Sequence, residues 1–164
     1  MRQIKLPSWF LPIGLLGVCG LLAITVIAYA TQWGPVIFSD AAGYITIGRN
    51  ILAGKGIGGF NASGRFDLLT YQPPLYPILL ASLGLLGADL VDVARWLNAA
   101  LFGLTVFLAG IISLRLSPRC SIAIILTAAV CGVALCSPVL IGLYSTAMSE
   151  PTFIFFSLLG MVLL

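Results

Sequence analysis

Histidine is missing from this chain, and charge is scarce: eight lysines and arginines and five aspartates and glutamates make up 8% of 164 residues. A soluble domain covers its surface with roughly a quarter charged residues, so composition excludes a free-standing soluble enzyme. With no histidine and no Cys-x-x-Cys pair, a zinc site lacks its ligand set. The four cysteines, Cys19, Cys120, Cys131 and Cys136, fall in or beside apolar runs and read as buried structural thiols rather than a disulfide framework. A net charge of +3 is too small to point to a nucleic-acid partner.

Hydrophobic residues, in contrast, make up 60% of the chain and are gathered in runs. A bilayer core about 30 Å thick asks for about 20 apolar residues at about 1.5 Å of helical rise each. Phe10–Ala30, Val93–Leu114 and Ile122–Ile141 meet that demand. The run Pro151–Leu164 gives about 21 Å of helix and falls short. The expectation is an all-α integral membrane protein, a multi-pass helix bundle of which this sequence is the N-terminal part. Ala28-Tyr29-Ala30 resembles a signal-peptide cleavage site, but the preceding run is longer than the 7–15 residues of such a segment. An uncleaved first helix is expected.

The placement of the few charges sets a topology. Arg2 and Lys5 precede the first run, and Arg115 and Arg119 separate the second from the third. Cytoplasmic loops carry the excess of lysine and arginine, so the N-terminus and residues 115–120 are expected in the cytoplasm of a cell-membrane protein. Residues 32–92 then form an outer loop. Within it Leu75–Gly87 is apolar, but it is short and follows Pro73-Pro74, and a crossing there would put Arg115 and Arg119 outside. It is expected as an interfacial helix. Ser39 and Asp40 open a second amphipathic helix, in which Ser39 is the expected cap and Asp40 a first-turn acid at the positive helix end. Ala41, Tyr44, Ile45, Ile47, Ile51 and Leu52 make its apolar stripe, Arg49 and Asn50 lie off it, and Gly54 ends it. The segment Ser145–Glu150, after the third run, should emerge on the same face as the outer loop.

Two motifs resolve into ordinary loops. Gly54-Lys55-Gly56-Ile57-Gly58-Gly59 matches Gly-x-Gly-x-x-Gly, yet it follows a helix, where a dinucleotide site needs a strand before it and a helix after it. Asn61-Ala62-Ser63 is a glycosylation sequon that says little by itself. The acids carry more. Asp40 and Glu150 stand next to apolar runs on the same expected face, where carboxylates usually meet a cavity or water; the plain alternative is a helix-start acid and an interfacial acid before Pro151. Asp67, Asp89 and Asp92 read as loop acids. Arg95 and Trp96 read as interface anchors, with a lipid phosphate as a second partner for Arg95.

The order of these features resembles the N-terminal part of the membrane-embedded glycosyltransferases of the GT-C class. The motifs are Ser39-Asp40-Ala41-Ala42-Gly43-Tyr44, Asn50-Ile51-Leu52-Ala53-Gly54-Lys55-Gly56, Tyr71-Gln72-Pro73-Pro74-Leu75-Tyr76-Pro77, Ala94-Arg95-Trp96-Leu97-Asn98 and Ser149-Glu150-Pro151-Thr152-Phe153. They are similar to those of bacterial relatives of the dolichyl-phosphate-mannose protein mannosyltransferases and of the aminoarabinose transferases. The resemblance implies a sugar donor on a polyprenyl phosphate, a lipid or protein acceptor, and a reaction on the outer membrane face. It implies Asp40 as the catalytic acid of the first outer loop, acting as general base on the acceptor hydroxyl, and Glu150 as a second acid. Tyr44, Tyr76 and Arg95, which stand in the matching motifs, are the expected substrate-binding residues beside Glu150. No cofactor is expected beyond a divalent cation as one means of offsetting the leaving phosphate. Two positions depart from the pattern. Ala41 stands where many relatives have a second acid. Gln72 stands where several have a lysine able to meet the phosphate. A transporter or flippase subunit, rich in glycine and membrane-level acids, is the rival class, and a membrane-anchoring or assembly protein without any site is the third.

Overall fold

The computed structural model describes residues 10–60, 63–68, 72–116 and 120–164. Arg2, Lys5, Arg119, Tyr71 and the Asn61-Ala62 part of the sequon lie outside the described residues. Among these described residues seven helices and one short ribbon follow in order: α1 Phe10–Ala30, α2 Ser39–Leu52, β1 Gly58–Phe60, β2 Phe66–Leu68, α3 Leu75–Gly84, α4 Leu90–Leu116, α5 Cys120–Cys136, α6 Pro138–Tyr144 and α7 Glu150–Leu163. The protein is mostly helical, and among the described residues two helices, α1 over Pro12–Ala30 and α4, are long and apolar enough to cross a membrane.

The 27-residue α4, about 40 Å long, is the post around which the rest packs. Against α1 it uses glycine: a Cβ on Gly103 would lie 2.7 Å from the Gly20 carbonyl oxygen and 2.6 Å from Ile24 Cγ1. Only the absence of side chains lets the two backbones approach this closely. Leu16, Ala23 and Ile27 of α1 meet Ala99, Phe102 and Val106 of α4 in one buried cluster, which Cys131 and Tyr144 complete. The outward side of α1 is apolar too, with Val18, Leu21 and Leu22 each at least half exposed.

The expected third run, Ile122–Ile141, is not one straight helix. Ser137 ends α5 in extended conformation, its side chain accepts from the Leu140 N–H, and Pro138 opens α6 at a bend of 62°. Proline lacks the N–H that would continue the ladder and fits the first turn of a new helix instead. Counted together, the bent pair is a third segment long and apolar enough to cross a membrane. Thr105 Oγ1 and the Tyr144 hydroxyl, 2.9 Å apart, fasten α6 to α4. The 14-residue α7 then runs back along α4.

Over the first turns of α4 lies a second layer made of α2 and α3. Ala41, Tyr44 and Ile45 of α2 pack with Tyr76 and Leu80 of α3 on Leu90, Val93 and Ala94 of α4. At 10 residues, α3 spans about 15 Å, half a bilayer core. Two expectations for α2 change. Ser39 is its first helical residue and makes no side-chain cap. Asn50 is buried rather than off the core face, because its side-chain amide donates to the Gly58 carbonyl and so ties α2 to β1. Gly54 does end the helix: its N–H donates to Ile51 O, and its φ of +71° lets the Lys55 N–H turn back to Asn50 O. The glycine run after it enters an antiparallel ribbon, β1 with β2, so its order is helix then strand, the reverse of a dinucleotide fold.

Candidate functional site

Two chain segments far apart in sequence are stitched together at the end of the bundle where α1 stops and α4 starts. The Val36 N–H donates to Ser145 O at 2.8 Å, and the Ala147 N–H donates to Val36 O at 3.2 Å, a one-residue parallel bridge. Asn98, fully buried in the third turn of α4, reinforces it. Its amide donates to Thr146 O at 2.6 Å, and its Oδ1 accepts from the Tyr76 hydroxyl at 3.3 Å. A polar side chain this deep needs partners for both ends, and here each partner belongs to a different element. Asn98 therefore holds α3, α4 and the α6–α7 connection in one register.

That register sets Tyr44 against the start of α7. Its hydroxyl lies 3.0 Å from Ser149 Oγ, and its ring meets the Tyr76 ring edge-on, with centroids 5.4 Å apart. Glu150, next to Ser149, and Asp40, one helical turn before Tyr44, both act on this hydroxyl through their charge. Burial first, then the two carboxylates, push the Tyr44 pKa up, and the Ser149 hydrogen bond only partly offsets them. The phenol thus stays protonated and available as a donor. Burial likewise raises the pKa of Tyr76.

Asp40 is exposed in the first turn of α2, while Glu150 is half-buried. Gln72 lies over this stretch of α2: its amide donates to the Asp40 backbone carbonyl at 3.4 Å, and a Cβ on Gly43 would come within 2.9 Å of Gln72 Nε2. Four polar atoms at this end are buried without a partner among the described residues: Gln72 Oε1, Ser145 Oγ, Glu150 Oε2 and Thr152 Oγ1. A buried carboxylate oxygen without a donor is costly.

Of the sequence-derived candidates, the structure gathers Asp40, Tyr44 and Glu150. Tyr76 is fully buried behind Tyr44 and spends its hydroxyl on Asn98. Arg95 faces a different element. Its guanidinium donates to the Ala28 carbonyl at 2.9 Å and to Thr31 Oγ1 at 3.3 Å, and it stacks 5.0 Å from the Trp96 ring centroid. It satisfies the carboxyl end of α1, where free carbonyls and the helix dipole favour a cation. Among the described residues no group of three or more histidines, cysteines or acids comes together to hold a metal ion. Asp40 and Glu150 are a pair of carboxylates, too few for a protein-only cation cage. Ser149, Gln72 and Asn98 belong to the site's framework. An asparagine inside an apolar run, the one signal that Asn98 gave, already points to a partnered buried amide.

No protein family, curated protein or solved structure matches this chain. The class that the fold itself defines is a mostly helical protein with two helices able to cross a membrane.

Proposed function

We propose that this chain is a multi-pass membrane protein and that the Asp40–Glu150 end is the sugar-transfer site of a polyprenyl-phosphate-dependent glycosyltransferase, facing the outer side of the membrane. The observation that carries the reading is the Tyr44–Ser149 hydroxyl contact, which joins the helix whose first turn holds Asp40 to the one that starts with Glu150, over a hundred residues apart. Tyr29, Trp33 and Trp96, all more than half exposed near this end, suit the headgroup level of a bilayer. The apolar outward side of α1 suits lipid.

In this reading an acceptor hydroxyl gives its proton to the exposed Asp40 carboxylate as its oxygen attacks the anomeric carbon. The bond from that carbon to the phosphate oxygen breaks, and the polyprenyl phosphate leaves with the electron pair. Glu150 helps to position the acceptor, and the Tyr44–Ser149 contact fixes the distance between the two acids' helix starts. Arg95 braces α1 against α4 rather than meeting the phosphate, and α2 and α3 lie at the membrane surface as the rim of the site. No step is assigned to a divalent cation.

A transporter is the second reading, and the 62° break between α5 and α6 favours it, since discontinuous helices line substrate paths in such proteins. The test is incubation of the full-length protein in lipid with a polyprenyl-phosphate sugar and acceptor. Cleavage of the sugar–phosphate bond supports the transferase. Movement of the intact donor across the bilayer supports the transporter.

A further inference from the structure

The opposite end of the bundle holds a feature that sugar transfer does not use. Between α4, α5 and α7 runs an apolar groove of about 410 Å³, lined by Ile112, Leu116, Leu126, Val130, Leu158 and Met161, with Ser113 the only hydroxyl. The volume is within the range of sites that hold small molecules. Arg115, exposed on α4 between two of the lining residues, donates to the Val162 carbonyl on α7. Its guanidinium is therefore held on α7 next to the lining residue Met161, at the rim of the groove.

Among the described residues no acidic side chain shares that end. Asp40 lies in the first turn of α2, Asp67 in β2, Asp89 and Asp92 flank the start of α4, and Glu150 opens α7, and these are all five acidic residues of the sequence. Asp92 and Arg115 are 23 residues apart on one helix, about 35 Å. An apolar groove with an exposed arginine at its rim fits an amphiphile with an anionic head. A second copy of this chain docked symmetrically would bring a second Arg115 to the same rim, like charge against like. We infer that the groove binds one acyl chain of an anionic phospholipid whose phosphate is held by Arg115. The inference rests on the membrane reading and is independent of glycosyl transfer.

The test uses the full chain in vesicles of mixed phosphatidylcholine and phosphatidylglycerol, followed by mass spectrometry of the lipids retained on protein released into mild detergent. Retention of phosphatidylglycerol over phosphatidylcholine is expected. Arg115→Gln should lower that preference roughly fivefold, and Arg115→Lys should keep most of it. Val130→Trp should displace both lipids by filling the groove, and Ala109→Leu, at a further lining residue on α4, replaces it if circular dichroism shows loss of helix. Equal retention of the two lipids, or unchanged retention in the filled groove, overturns the inference. So does a wild-type dimer that the filling variant dissociates, which would assign the groove to a second copy. Extraction of the chain from vesicles at alkaline pH overturns the membrane reading itself, whereas a membrane-resistant chain without lipid preference overturns only this site.

Discussion

Replacing Asn98 by alanine should do more damage than any other single truncation at the loop end of the bundle. Two buried hydrogen bonds disappear together, one to Thr146 O and one from the Tyr76 hydroxyl. Each buried group left unpaired costs about 1–3 kcal/mol, so two orphans give roughly 2–6 kcal/mol if neither finds water. Tyr76→Phe removes the longer of the two bonds and leaves only Asn98 Oδ1 unpaired, with an expected cost of about 1–2 kcal/mol. Because the two residues share one bond, their effects should not add; coupling of about 0.5–1.5 kcal/mol is expected from a double-mutant cycle. Equilibrium unfolding in detergent, followed by helix signal, measures all three variants. An Asn98→Ala cost below about 0.5 kcal/mol, the level of an ordinary surface change, would show that the amide is not the clasp between α3, α4 and the α6–α7 connection.

Three further outcomes follow from other parts of the structure. Gly103→Leu should destabilise by at least about 1–3 kcal/mol, because its Cβ alone would meet the Gly20 carbonyl and Ile24; thermal aggregation temperatures of the two proteins compare them, and equal values would contradict the close α1–α4 approach. Tyr44 and Tyr76 both have hydroxyl pKa values raised above the ordinary 10.0. The folded state thus holds protons that the unfolded chain loses near that pH, and stability present below pH 10 should fall as pH rises beyond it; Tyr44→Phe with Tyr76→Phe should flatten this decline in unfolding measured against pH, and an unchanged slope would refute the assignment. In a cysteine-free background, an impermeant thiol reagent outside the membrane should label a cysteine placed at Ser63 and spare one at Leu116; labelling of both would break the proposed topology.

Much of this architecture is legible in the residues because bilayer-length apolar runs leave few alternatives to helix. Phe10–Ala30 is read directly, and Gly54 marks the end of α2 because only a residue at ease with positive φ can close that turn. The convergence of the Val36 and Thr146 segments follows from alternating helix direction once Leu75–Gly84 is too short to turn the chain around. Hydropathy was blind elsewhere. Pro138 sits inside a continuous apolar run, and a window average registers its neighbours rather than its missing N–H. Arg95 carries the signature of an anion binder, but which anion or carbonyl it meets depends on where α1 ends, a tertiary fact. Ser149 gave no signal of its own, since short polar side chains beside prolines are commonplace in loops, and Gln72 stood out only as a departure from the resembled pattern, which does not foretell its hydrogen bond to the Asp40 carbonyl. The ribbon between β1 and β2 has three-residue strands with two glycines in one of them, below what alternation can reveal.

The central claim is that Asp40 takes the acceptor's proton at a site it shares with Glu150. It is tested most directly by the rate of sugar transfer from a polyprenyl-phosphate donor, with full-length wild-type and Asp40→Asn proteins compared in the same lipid. Asparagine keeps the shape and removes the basicity, so kcat should fall by roughly 10²–10⁴-fold while donor binding and helix content stay as they are. Transfer by Asp40→Asn at the wild-type rate would contradict the account.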